Sequence, residues 1–233
     1  MDPNTGKKGM FNKLSKEQGL ALLEQEDFSR KTVSFYRYVI LDAPFDLRDE
    51  LYLQWNELGV LGRIYLAHEG VNAQLSVPEH NWEAFVKAVH ANKYFAAIPF
   101  KIAVEDDGKS FYKLTIKVRN QIVADGLPID EYDVTDVGVH LDAEKWNYAL
   151  ESGATVVDMR NHYESEIGKF KGAICPDVET FKEELPEVKK MLKGQEEDEI
   201  LLYCTGGIRC EKTSAYLKHH GFKNVFQLHG GII

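Results

Sequence analysis

A chain of 233 residues, 44% apolar and 28% charged, is long enough for two ordinary domains and too hydrophobic to be a disordered polymer. Its formal net charge of −9 excludes a generic polyanion binder, and no apolar run approaches the roughly 20 residues that a membrane span needs. Three cysteines, an odd number, do not make a disulfide framework, and Met1 to Glu26 has no apolar signal-peptide core, so a reducing, cytoplasmic setting is expected.

In chain order, residues 1–31 are polar, with one short helical pattern around Lys16–Glu26, and are expected to form a loosely held arm. Val33 to Leu41 is rich in β-branched and aromatic residues and predicts a strand. Leu47, Leu51, Trp55 and Leu58 recur at helical spacing. Gly62–His68 and Val71–Val77 predict two strands around Glu69-Gly70. Trp82, Phe85, Val86 and Val89 predict a second helix, begun near Pro78-Glu79. Phe100–Glu105 and Phe111–Val118 predict strands around the Asp106 to Lys109 turn. The order β-α-β-β-α-β with one extra strand predicts an α+β, ferredoxin-like domain over residues 32–123, with helices on one face of a sheet.

Alternation places Val71, Ala73, Leu75 and Val77 against Asn72, Gln74 and Ser76. On the last strand it places Tyr112, Leu114, Ile116 and Val118 against Lys113, Thr115, Lys117 and Arg119. One sheet face is thus polar and basic. It reads either as a solvated face or as an RNA platform, with Lys113, Lys117, Arg119, Asn72 and Tyr65 as candidates and Tyr36 or Tyr38 as further stacking rings. Charge distribution allows this: residues 1–130 carry 16 Lys+Arg against 18 Asp+Glu, while residues 131–233 carry 12 against 19. Glu69 is a turn residue or, beside Asn72, a group facing a base. His68 has no evident metal partner.

Residues 124–139, with Gly126 and Pro128, are expected to be a linker. Beyond it, Asp142 predicts a cap for a helix through Ser152, and Thr155–Met159 a buried strand. Lys182–Lys193 is helical, with Pro186 expected to force a break or restart. Ile200–Tyr203 is a strand, Cys210–His220 a helix ended by Gly221, and Val225–Leu228 a strand. Alternating strands and helices predict an α/β domain with a parallel sheet over residues 140–233, its reactive loops at the carboxyl ends of strands.

Cys204 falls at such an end, followed by Thr205, Gly206, Gly207, Ile208 and Arg209. Loop N–H groups, the helix N-terminus and the Arg209 cation all favour the thiolate, the reactive form. Cysteine phosphatases place five residues between cysteine and arginine; here four intervene, which suits one sulfur atom better than a phosphate and favours a persulfide. A metal site lacks the usual paired spacing. An inert buried cysteine stays open, although Gly-Gly and Arg are hard to explain that way. Asp158 and Arg160 are expected to brace the loop. Arg209 holds loop or substrate, or pairs with a carboxylate such as Glu211. Cys210 either packs or resolves an oxidised Cys204.

Cys204–Arg209 resembles the active-site loop of a rhodanese domain. So do Asp158-Met159-Arg160-Asn161-His162-Tyr163-Glu164 with Gly168, Gly172 and Ala173, and the closing Gly221-Phe222 and Gly230-Gly231-Ile232. The whole chain is similar to a narrower family, the rhodanese-containing tRNA uridine(34) hydroxylases. The matching runs are Ser34–Tyr38, Tyr65–Ala73, Asp106–Phe111, Val123–Gly126 and Cys204–Lys212. The resemblance implies tRNA as partner and O2-dependent formation of 5-hydroxyuridine. It also implies Cys204 as the essential cysteine and potential persulfide carrier, fed by a possible sulfur donor. A rhodanese-type sulfurtransferase and a non-catalytic RNA-binding module are the alternatives. The sequence itself indicates no cofactor and no metal. The family pattern continues into a closing helix and a Cys-rich C-terminal region; both are expected to be absent from a chain ending at Ile233.

Overall fold

A computed structural model describes residues 11–104 and 106–232. The chain folds as two units divided between Ile122 and Val123. Among the described residues no helix is long and apolar enough to cross a membrane.

In the first unit, α1 (Lys16–Glu24) opens with a capping box in which Ser15 and Gln18 satisfy each other's backbone N–H groups. The described part of the expected arm is held down: Leu23 is buried, and Arg30 pairs with Glu26 at 2.6 Å and donates to the Gly59 carbonyl at 2.9 Å. Met1–Met10 lie outside the described residues. β1 (Arg30–Tyr38), α2 (Pro44–Glu57), β2 (Leu61–Ala67), β3 (Gly70–Pro78), α3 (Trp82–Ala91) and β4 (Lys101–Ile102) follow, and β5 (Leu114–Val118) completes a sheet of order β4-β1-β3-β2-β5. The first four strands pair antiparallel, and β5 adds to β2 in parallel. This is the expected ferredoxin-like order with its extra strand. β4 is shorter than the expected Phe100–Glu105 strand, and Glu105 lies outside the described residues.

Leu47, Leu51 and Trp55 of α2 and Trp82, Phe85 and Val89 of α3 share one core with Val33, Phe35, Ile64, Leu66, Val71, Ala73, Leu75 and Ile116. Inward positions alternate along each strand, so the other face takes the polar set. The register aligns that set into a row: Tyr36 opposes Asn72, Asn72 opposes Tyr65, and Tyr65 opposes Lys117. The chain leaves β2 through Glu69 and enters β3 at Gly70. A Cβ at Gly70 would stand 2.0 Å from the Arg37 carbonyl oxygen, so only glycine fits.

The second unit contains β6 (Val139–Leu141), α4 (Ala143–Glu151), β7 (Thr155–Asp158), α5 (His162–Ile167), α6 (Phe181–Met191), β8 (Glu199–Tyr203), α7 (Ile208–His219) and β9 (Asn224–Leu228). Its sheet has order β6-β9-β8-β7, and all its pairs are parallel. Asp142 caps α4 by accepting the Lys145 N–H at 2.9 Å. Within residues 124–139, Asp125 is buried, accepts the Tyr132 hydroxyl at 2.8 Å and pairs with buried Lys212 at 2.8 Å. One expectation is corrected here. Pro186 breaks nothing: α6 runs through it from Phe181 to Met191, at the loss of the one N–H bond that a proline cannot donate.

Candidate active site

β7, β8 and β9 all point their carboxyl ends at one edge of the parallel sheet, and each delivers part of the site. β8 ends at Tyr203, and the chain turns through Cys204–Gly207 into α7. Gly207 adopts φ +94°, a left-handed conformation that strains any residue with a Cβ. That turn aims the Gly207 N–H at the Cys204 sulfur, 3.1 Å away. Cys204 is 1% exposed. Burial pushes its thiol up. A hydrogen bond from the Cys210 thiol, the Arg209 charge and the N–H groups of Cys210 and Arg209 outweigh that and bring it down to about 6. Cys204 is therefore largely ionised at neutral pH, as its position at a helix N-terminus favours. Cys210 is also buried; burial first, and the neighbouring Cys204 sulfur next, hold it well above the usual thiol range. It is the neutral donor of the pair.

Arg209 pairs with Glu164 of α5 and not with Glu211. Its two terminal nitrogens donate to both carboxylate oxygens at 3.0 to 3.2 Å, and one also reaches the Thr205 hydroxyl at 3.2 Å. Thr205 in turn donates to Glu164. Glu164 already closes the capping box of α5, accepting the Asn161 N–H at 3.0 Å. Burial raises the Glu164 carboxyl, but Arg209 and Thr205 outweigh it and keep it below the usual carboxylate range. One carboxylate thus ties α5, the loop and α7 together. Glu211 instead faces His140 at 3.0 Å and Gln227 at 3.1 Å.

Asp158 and Arg160 form a bidentate pair at 2.9 and 2.8 Å, and Asp158 accepts the Tyr203 hydroxyl at 2.7 Å. They therefore sit against the strand that carries Cys204. From β9, the Ile232 N–H donates to the Cys204 carbonyl at 3.1 Å, which places the closing Gly-Gly-Ile on the loop itself. The loop residues and Asp158, Arg160 and Cys210 are brought together in this unit. Lys113, Lys117, Arg119, Tyr65 and Asn72 lie in the first unit. There Arg119 lies 5.4 Å from the Tyr65 ring and Lys117 sits in the Tyr36–Asn72–Tyr65 row. Lys113 precedes β5, 5.5 Å from the Tyr112 ring. Glu69 is buried and accepts the Ile122 N–H at 2.7 Å, the structural alternative of its two readings. His68 bonds the Leu41 carbonyl at 2.9 Å. Among the described residues no three His, Cys, Asp or Glu are grouped to hold a metal ion.

Sequence reasoning missed Glu184. It is 2% exposed on α6, and its Oε1 has no hydrogen-bond partner. The signal was present: Phe181, Glu184, Leu185, Val188 and Leu192 follow the spacing of a buried helical stripe, with a carboxyl in an apolar position.

Residues 30–122 match the UPF0176 acylphosphatase like domain, and residues 142–232 match the Rhodanese-like domain. The chain thus carries an acylphosphatase-like match followed by a rhodanese-like match, each over less than half of its length. Over nearly its whole length it is similar to proteins named tRNA uridine(34) hydroxylase. It is 57% identical over 98% of its length to the one from Leptospira interrogans, and 46% and 48% identical over 96% to those from Photorhabdus laumondii and Yersinia enterocolitica. It spans 63%, 64% and 65% of the lengths of those three relatives.

Proposed function

We propose that this chain hydroxylates uridine 34 of tRNA to 5-hydroxyuridine, with O2 as co-substrate, a two-electron donor that reduces the second oxygen atom to water, and Cys204 as the reactive group. The observation that carries the reading is a buried Cys204 sulfur that accepts the Gly207 N–H at 3.1 Å, in a chain 57% identical to a relative named for that activity. Residues 140–233 supply the chemistry: loop N–H groups hold negative charge on the sulfur, Arg209 and Glu164 fix the loop, and Asp158 and Arg160 brace the strand behind it. Residues 32–123 hold the RNA, with Tyr65 and Tyr36 offering stacking faces and Lys113, Lys117 and Arg119 meeting phosphates. A cytoplasmic location follows from a tRNA substrate.

A second reading rests on the same loop. Four residues between Cys204 and Arg209, and an N–H aimed at the sulfur, suit a persulfide that passes sulfur from a donor to an acceptor. One comparison separates the readings: nucleosides of tRNA from cells lacking the gene, complemented with wild type or Cys204→Ala. Loss of 5-hydroxyuridine derivatives that Cys204→Ala leaves unrestored supports hydroxylation. Loss of a thiolated nucleoside supports sulfur transfer. Equal rescue by both proteins sinks both readings and leaves an RNA-binding module.

A further inference from the structure

α5 is tied to the Cys204 loop along its inner side. Glu164 holds Arg209 and the Thr205 hydroxyl, and it also accepts the Asn161 N–H at 3.0 Å. The chain beyond α5 is pinned as well: Arg160 donates to the Gly168 carbonyl, and the Phe170 N–H donates to the Tyr203 hydroxyl at 3.3 Å. Phe170 then packs edge-on against Tyr203, with 4.8 Å between ring centroids. The stretch 161–171 is therefore held by the same side chains that brace Cys204.

Its outer side is different. Tyr163 is 65% exposed and Ile167 90%, and four residues apart on a helix they share a face. The Tyr163 ring is exposed yet held, because its hydroxyl accepts the Asn161 side-chain N–H at 2.9 Å. Asn161 links it to Glu164, and so to Thr205, the residue next to Cys204. Lys169 and Lys171 follow, both exposed, and neither forms an ion pair among the described residues. Glu164 is matched by Arg209, and Glu166 faces His162 at 3.2 Å. The two lysines thus leave this stretch cationic within residues 131–233, which carry 12 Lys+Arg against 19 Asp+Glu. A fixed aromatic face suits an unstacked base, and cations beside it suit phosphates. That pairing favours a polyanion over an apolar peptide.

We infer that the outer face of α5 binds the nucleotide presented to Cys204: the base of the unstacked uridine lies on the Tyr163 ring with Ile167 at its edge, and Lys169 and Lys171 meet the phosphates beside it. The inference rests on the proposal that the substrate is tRNA, and adds where in the second unit the target nucleotide is held.

The experiment uses the whole chain and a tRNA carrying 4-thiouridine at position 34. Near-ultraviolet irradiation followed by trypsin should place the crosslink in the peptide Asn161–Lys169, which contains both Tyr163 and Ile167. Filter binding of tRNA supplies a second arm. Tyr163→Ala should weaken binding about fivefold or more, and Tyr163→Phe, which keeps the ring, should bind within about twofold of the wild type. Lys169→Gln combined with Lys171→Gln should lower the log–log salt slope by about 1. Iodoacetamide labelling of Cys204 and the melting temperature should stay at wild-type values in Tyr163→Ala; a fall in either makes Tyr163 a prop of the loop and overturns the inference. Unchanged binding in Tyr163→Ala, equal loss in Tyr163→Phe or an unchanged slope in the lysine variant also overturns it. A wild-type crosslink confined to other peptides removes the platform and leaves the tRNA reading standing. A wild-type chain that neither binds nor crosslinks to tRNA removes both.

Discussion

Cys204 and Glu184 titrate in opposite senses, and this sets how stability follows pH. The folded Cys204 thiol lies at about 6 against an ordinary 9.0, so its contribution is complete above pH 9 and is lost as pH falls through 6. The folded Glu184 carboxyl lies at about 8 against 4.5, so its contribution is complete below pH 4.5 and is lost as pH rises through 8. Between pH 6 and 8 the two slopes oppose. Cys204→Ala removes the rising one, so its urea midpoint should fall more steeply from pH 6 to 8 than that of the wild type. Glu184→Gln in the same background should restore a flatter profile. Glu164 acts through structure: Glu164→Gln leaves the Arg209 guanidinium without its charged partner and should cost about 2–4 kcal/mol in thermal or urea unfolding. It should also lower the pH at which Cys204 becomes reactive, because the Arg209 charge is then no longer offset by a carboxylate. The candidate cysteine and its glycines were legible in sequence because a loop's geometry is local. Glu164 as the partner of Arg209 was not, since 45 residues separate the two positions.

The elements that sequence read well are those with strong local signals. β3 has apolar residues at the alternate positions Val71, Ala73, Leu75 and Val77, α4 has an aspartate cap, and α3 has aromatic residues at helical spacing. It missed β6, three residues long, and α5, six residues long, because neither is long enough to show a period. The closing Gly-Gly-Ile gains meaning only in the fold. Gly231 has φ +79°, and a Cβ on it would stand 2.4 Å from the Thr205 carbonyl oxygen and 2.8 Å from that of Cys204. Gly231→Ala should therefore displace the loop, lowering stability by about 1–3 kcal/mol and slowing Cys204 alkylation. Unchanged alkylation and melting would show that β9 does not support the loop.

At the scale of the molecule, the net charge of −9 hides a basic stretch from Gly108 to Ala124 that holds four Lys or Arg residues and no acid. β5 carries part of it onto a sheet face beside Tyr65. Replacing Lys113, Lys117 and Arg119 together should weaken tRNA binding across sequences and lower its log–log salt slope by about 2. Tyr65→Ala should instead weaken binding by about 1–3 kcal/mol with the slope retained, as loss of a stacking face does. Filter binding at several salt concentrations separates the two effects, and an unchanged slope in the triple variant would remove the basic face from the RNA reading.

By itself the sequence determined the order of the two folds, most strand and helix types and the position of the candidate Cys204 loop. Each depends on residues within a few positions of one another. The tertiary structure decided which groups meet that loop. Asp158, Glu164 and Ile232 come from three separate segments, and parallel strand pairing and helix packing bring them to the Cys204 loop. Burial then sets their protonation, because the cost of a charge depends on the surrounding medium and partners, which residue order does not contain.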